Sequence, residues 1–185
     1  MRVLYGRYYR ERIKKVAAWI PENTQVVDLC AGDCSLYRYG LTFKPVDYRA
    51  FDINSGFIRW AAKRNIPMQR LDLHSDPIPD ADSIVMMSSL YQFIPYEKKI
   101  VRSLIHAAKR RVILTEPIRN IAQSRFPLVG WIGKKLTQVG DHPCTQRFDE
   151  ETLRALLTEF GFQTIQSIAG GREILAVYTL PTSSP

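Results

Sequence analysis

Residues Val26-Val27-Asp28-Leu29-Cys30-Ala31-Gly32-Asp33-Cys34-Ser35-Leu36 constrain the fold more than any other stretch. An apolar, β-branched run stops at an acid and gives way to small residues, with Gly32 four positions after Asp28. A short buried strand ending in a small-residue turn is how an open α/β sheet forms a ligand crevice at its strand tips. Small residues let the backbone approach a bound group, and the turn's N–H groups can hold a carboxylate or phosphate.

The rest of the chain supplies the partners such a strand requires. Ile13, Val16, Ala17 and Ile20 recur at helical spacing and predict an amphipathic helix over roughly 6–19, broken by Pro21-Glu22-Asn23. Strands are expected at about 25–29, 48–52, 68–71, 83–88 and 112–115, with a short helical turn over 35–40. Asn54-Ser55 caps one helix, Pro95 starts a second, and Asp149 caps a third that Gly161 closes. The end reads as a hairpin, 162–168 and 174–180 around Gly170-Gly171, before a loose tail over 181–185. Alternating strands and helices closed by a hairpin predict an α/β fold. Its sheet would be doubly wound, mostly parallel and seven-stranded, with helices on both faces and an antiparallel C-terminal hairpin.

At 185 residues the chain fits one domain, expected to span 1–180. No apolar run approaches the roughly 20 residues that span a bilayer. The first 15 residues lack the apolar core of a signal peptide, so a cytoplasmic location is expected. Three cysteines suit a reducing compartment, and Cys30 and Cys34 have no second ligand pair that would make a metal site, so no metal is expected. The net charge is +8, and residues 1–15 concentrate six Lys or Arg against one Glu. With Tyr5, Tyr8 and Tyr9 interleaved, this basic helix at 1–20 could grip nucleic acid or an anionic surface. The plainer reading, a solvated helix face, is preferred.

Acids recur at the expected strand ends. Asp52 follows Asp28 by 24 residues, where an acid can accept both hydroxyls of a ribose, and Asp72 ends the third strand within reach of an adenine amino group. Three such acids describe a nucleoside-shaped crevice.

These residues carry a resemblance. Asp28–Cys34 is similar to the first motif of class I S-adenosylmethionine-dependent methyltransferases, and Ala50-Phe51-Asp52-Ile53-Asn54 to their second. Arg70-Leu71-Asp72-Leu73 resembles the third motif, Ser83–Phe93 the fourth, and Phe148–Phe162 the late helix before the terminal hairpin. The ordered set covers about residues 5–180. The resemblance implies S-adenosylmethionine as cofactor and S-adenosylhomocysteine as product. It implies that Asp28, Cys30, Ala31 and Gly32 line the methionine part and that Asp52 holds the ribose. Ile53 would pack on the adenine, Asp72 and Leu73 would meet its edge, and Ser88, Ser89 and Leu90 would lie near the reacting methyl. The family pattern has glycines where this chain has Cys30 and Cys34, so only Gly32 remains.

Transfer of a methyl group from a sulfonium requires alignment and, for O- or C-methylation, removal of a proton. Tyr91, Glu116 and His142 are the candidate bases, and His142 has the most suitable ordinary pKa. Ser88-Ser89-Leu90-Tyr91 lacks the Asn/Asp-Pro-Pro-aromatic signature of enzymes that methylate exocyclic amines of nucleic-acid bases, which favours a small-molecule or lipid-like acceptor. Residues 118–147 fall where the family often builds a substrate lid, and its apolar run 126–136 could also rest on a membrane surface. An RNA methyltransferase using the basic arm and a non-catalytic cofactor- or partner-binding protein are the alternatives. A nicotinamide dehydrogenase is weakest, because no G-x-G-x-x-G follows the first strand. Oligomeric state is not legible in the sequence.

Overall fold

In the computed structural model, residues 6–118 and 147–181 are described. The first strand forms where expected, as β1 (Gln25–Leu29), preceded by α1 (Tyr8–Ala18). The chain continues through β2 (Asp47–Asp52), α2 (Ser55–Ala62), β3 (Met68–Arg70), β4 (Ala81–Met87), α3 (Glu97–Ala107) and β5 (Ala108–Pro117). It closes with α4 (Glu150–Glu159), β6 (Thr164–Ile168) and β7 (Glu173–Thr179). The seven strands form one sheet in the order β3-β2-β1-β4-β5-β7-β6. β1 to β5 pair in parallel, and β7 lies antiparallel between β5 and β6. This is the doubly wound sheet with an antiparallel hairpin that the element pattern predicts.

The order in which strands are added reverses at β1, whose neighbours are β2 on one side and β4 on the other. Open sheets bind ligands at such a switch point, beyond the carboxyl ends of the strands. Two apolar layers flank the sheet. Ile13 and Val16 of α1 and Ala61 of α2 pack on Val26, Val85 and Ile113, while Leu104 of α3 and Leu157 of α4 pack on Val27, Ile84 and Val112. The alternation of adjacent strand residues between the two layers follows from the period-2 geometry of a strand covered on both faces.

Side-chain caps form as the sequence indicates. Asn54 Oδ1 accepts from Gly56 N–H at 2.8 Å, and Asp149 Oδ1 accepts from Thr152 N–H at 2.8 Å. Three elements differ from expectation. β5 begins at Ala108 rather than near Val112, because Lys109, Arg110 and Arg111 hide its start from any reading of apolar runs. Helix α3 begins at Glu97, two residues after Pro95, since Leu90–Phe93 already forms a 3-10 turn. β4 stops at Met87, and Ser88 leaves the strand with a left-handed φ of 56°. The turn after the first motif is a π-type turn, Tyr37–Leu41, pressed against α1. Gly40 makes that approach feasible: a Cβ there would lie 2.9 Å from Ala17 Cβ and 3.0 Å from Ile13 Cγ2. Among the described residues, no helix is long and apolar enough to cross a membrane. The expected lid over 118–147 lies almost wholly outside the described residues, as do His142, the apolar run 126–136 and most of the tail.

Candidate active site

The site is assembled at the tips of β1, β2, β4 and β5. Asp28 is buried near the end of β1, and its Oδ2 accepts a 2.7 Å hydrogen bond from the Tyr48 hydroxyl on β2. Burial pushes its carboxyl up to about 7; the Tyr48 bond opposes this rise, and the charges of Asp52 and Asp33 add to it. The Tyr48 hydroxyl is in turn raised well above its ordinary value by burial and by Asp28.

Three residues of the following turn adopt left-handed backbone: Cys30 at φ 53°, Gly32 at 53° and Cys34 at 50°. That conformation costs a non-glycine residue of order 1–3 kcal/mol, which explains physically why glycine suits these positions. The turn is tied to β2 at two points. Ala31 N–H donates to Phe51 O at 3.1 Å, and Gly32 N–H donates to Asp52 Oδ2 at 2.9 Å. Asp52 Oδ1 accepts from Asn54 N–H at 2.8 Å, so one carboxylate fixes the turns after both strands. A carboxylate has about four acceptor positions, and two backbone donors leave capacity for a diol. Beside it, Ile53 is 42% exposed and Phe57 37% exposed, and the Phe57 ring lies 3.9 Å from where a Gly32 Cβ would be. Burial raises the Cys30 thiol, as do Asp52 and Asp28, and pushes Cys34 up to about 12. Both are therefore protonated thiols with little nucleophilic character.

Asp72 sits after β3 and closes its own turn. Its Oδ1 accepts from His74 N–H at 3.0 Å, and its N–H donates to Asp76 Oδ2 at 2.8 Å. Leu73 is half-buried against the α3 layer. Both residues follow β3, which neighbours β2 in the sheet.

The β4 tip divides its residues between the two faces. Ser88 N–H donates to Thr115 O at 2.6 Å, and its hydroxyl donates to Glu173 Oε1 at 2.9 Å while accepting from Arg12 Nη2 at 2.5 Å. Ser88 thus belongs to a buried network on the α1 face. Ser89 donates to Met87 O at 3.1 Å, and Leu90 N–H donates to Glu116 Oε2 at 2.9 Å. Glu116 is buried; its Oε1 has no hydrogen-bond partner among the described residues. Burial pushes its carboxyl up to about 8, the bond from Leu90 opposes the rise, and the charge of Glu173 adds to it. Tyr91 is buried in the same turn, with the Arg147 guanidinium carbon 3.4 Å from its ring centroid. Glu116 and Tyr91 are therefore brought together.

The main element missed in the sequence is the Arg12–Glu173 pair. Arg12 Nε meets Glu173 Oε2 and Arg12 Nη2 meets Glu173 Oε1, both at 2.6 Å, and both side chains are buried. Arg12 reads as one more charge of the basic arm, yet with Tyr9, Ile13 and Val16 it falls on the buried helix face, and that placement was the available signal. Tyr48, Phe57 and Arg147 had no signal in spacing or motif.

No protein-family model and no curated protein sequence matches the chain. Solved structures do. Magnesium protoporphyrin IX methyltransferase from Synechocystis PCC 6803, with S-adenosylhomocysteine bound, superposes with a TM-score of 0.65 at 16% identity, over 97% of this chain and 92% of its own. A SAM-dependent methyltransferase from Aquifex aeolicus superposes with a TM-score of 0.65 at 14% identity, over 97% and 93%. The CMeT domain of a citrinin polyketide synthase gives 0.66 at 15% identity, over 98% of this chain and 54% of that one. At such identities the likeness establishes the class I methyltransferase fold.

Proposed function

We propose that this chain, which has the class I methyltransferase fold, transfers a methyl group from S-adenosylmethionine to a small-molecule or amphiphilic acceptor. The observation that carries the reading is the Asp52 interlock: one carboxylate holds Gly32 N–H at 2.9 Å and Asn54 N–H at 2.8 Å and still has acceptor capacity. Donor and acceptor chemistry here fit the cofactor. Asp52 would accept from the ribose hydroxyls, Ile53 and Phe57 offer apolar surface to the adenine, and Asp72 with Leu73 would meet its edge. The turn Cys30-Ala31-Gly32 and the buried Asp28 would line the methionine part.

When bound, the cofactor supplies an electrophilic methyl group whose sulfur departs without an acid. The chain's own task is alignment and, for an acceptor that carries a proton, its removal. Glu116 suits that second role best among the described candidates, since one of its oxygens holds Leu90 N–H and the other has no hydrogen-bond partner among the described residues. The first bond fixes the backbone at Leu90, where Ser88, Ser89 and Leu90 would lie near the reacting methyl. Tyr91, held under Arg147, would form a wall of the acceptor site, and His142 remains a candidate base. The acceptor class is supported by the absence of a base-methylating signature and by the small-molecule names of the similar structures.

Calorimetric titration with S-adenosylmethionine and S-adenosylhomocysteine tests the cofactor assignment. Micromolar binding by wild type, weakened at least tenfold (~1.4 kcal/mol) in Asp52→Ala, is expected. No binding by folded wild type would overturn the assignment.

A further inference from the structure

On the α1 face, apart from the strand-tip residues, α1 and the segment Arg38–Lys44 enclose a concavity of about 430 Å³. Its walls carry Arg10 and Lys14 from α1, and Arg38 and Lys44 from the facing segment, against the carboxylate of Glu22 in the wall and that of Asp33 beside Arg38. Arg10 and Lys14 are four residues apart on one helix, about 6 Å along its axis, comparable with the spacing of neighbouring phosphates in an extended strand. Lys44 is positioned by hydrogen bonds to Ala17 O at 2.9 Å and Ile20 O at 2.7 Å. Arg38 is positioned by Asp33 at 3.6 Å and by the Tyr39 and Trp60 rings, whose centroids lie 4.8 and 5.1 Å from its guanidinium carbon. These two cations are thus pre-ordered, and they lose little side-chain freedom when an anion arrives. At the edge of the concavity Phe43 is 99% exposed. Phe43 buries almost nothing in the fold, and it lines the concavity together with the four cations.

We infer that this groove is a docking surface for single-stranded nucleic acid, with Arg10, Lys14, Arg38 and Lys44 facing the phosphates and Phe43 stacking on a base. Cationic grooves with an aromatic platform bind single strands in a sequence-tolerant way. A lipid bilayer is the other anionic partner of such a residue set. It is disfavoured because the cations line a concave wall, which a flat headgroup layer reaches poorly. The inference rests on residues outside the cofactor cleft and is independent of the methyl acceptor.

Fluorescence anisotropy of a labelled 12-nucleotide single-stranded RNA, titrated with full-length protein across a salt series, tests it. Arg10→Gln/Lys14→Gln is expected to weaken binding at least tenfold at low salt and to flatten the log–log salt slope by about 1.4. Phe43→Ala is expected to weaken binding about fivefold or more with the slope unchanged, as stacking requires. Lys63→Gln/Lys99→Gln, at exposed cations elsewhere, is the control and should retain the wild-type affinity. Equal losses in the control and groove variants would overturn the proposal in favour of diffuse charge attraction. So would absent RNA binding, or Phe43-dependent binding only to phosphatidylserine vesicles.

Discussion

The two halves of the strand-tip edge are built on different principles. The half at β1 and β2 is local: Asp28, the turn 30–34 and Asp52 lie within one β-α-β unit, and backbone N–H groups do much of the bonding. The half at β4, β5 and β7 is non-local. Its centre is Arg12 bonded to Glu173 across 161 residues, with Ser88 and Thr115 completing the network. A local site needs only the right turn chemistry, whereas a non-local one depends on the whole sheet being closed. The second half therefore fails as a unit when one partner is removed, whereas the first is sensitive chiefly to the charge on its buried acid, Asp28.

The sharpest break comes from Arg12→Ala or Glu173→Ala. Each leaves an uncompensated charge in a dry site, which costs about 3–5 kcal/mol. Urea unfolding monitored by tryptophan fluorescence should show that loss. A loss below 1 kcal/mol would mean that the pair is solvated in solution and that the two halves do not differ as described.

A comparable effect on the local half is reached by pH alone. The carboxyl of Asp28 stands at about 7 in the folded chain against an ordinary 3.8. The native state thus binds the extra proton, and stability falls as pH rises through that window. The full penalty is about 4 kcal/mol, reached above pH 7. Between about pH 4.5 and pH 7 Glu116 contributes a similar slope, so Asp28→Asn should remove about half of the total. Glu116, at about 8 against 4.5, adds a second fall that extends to higher pH and survives in Asp28→Asn. An unchanged slope in the variant would show that Asp28 ionises freely in the fold.

The same contrast explains how much was legible in the sequence. β1 and β2 show as apolar runs ended by acids, and Asn54 and Asp149 announce their helices as caps. Asp28 and Asp52 stand where their positions on those strands imply. The partner of Asp28 was hidden, because Tyr48 looks like any strand aromatic until the β1–β2 register sets it close by. Ser88 shows the limit of motif reading: it follows β4 as the motif places it, but its bond to Glu173 depends on a strand 85 residues later. Arg12 was misassigned to the solvated arm for the same reason, since only the folded hairpin supplies its counter-ion. Of the proposed acceptor side, His142 and residues 126–136 lie outside the described residues.

The finest test separates the two cysteines of the turn. Cys30 and Cys34 share nearly the same left-handed φ, yet Cys34 is fully buried and Cys30 is not. Replacing either with glycine relieves backbone strain of order 1–3 kcal/mol, partly offset by the larger chain entropy of glycine when unfolded. Cys30 is only partly buried against the opposite layer, so Cys30→Gly gives up less contact than Cys34→Gly and a net gain of up to about 0.5 kcal/mol is expected. Cys34→Gly also removes a buried side chain packed in the α1 layer, which costs about 1–2 kcal/mol and cancels the gain. Thermal unfolding of the two variants should therefore diverge, with Cys30→Gly above wild type and Cys34→Gly at or below it. If both rose equally, backbone strain would dominate the turn. The buried thiol of Cys34 would then contribute nothing to holding the turn in place beside Asp28.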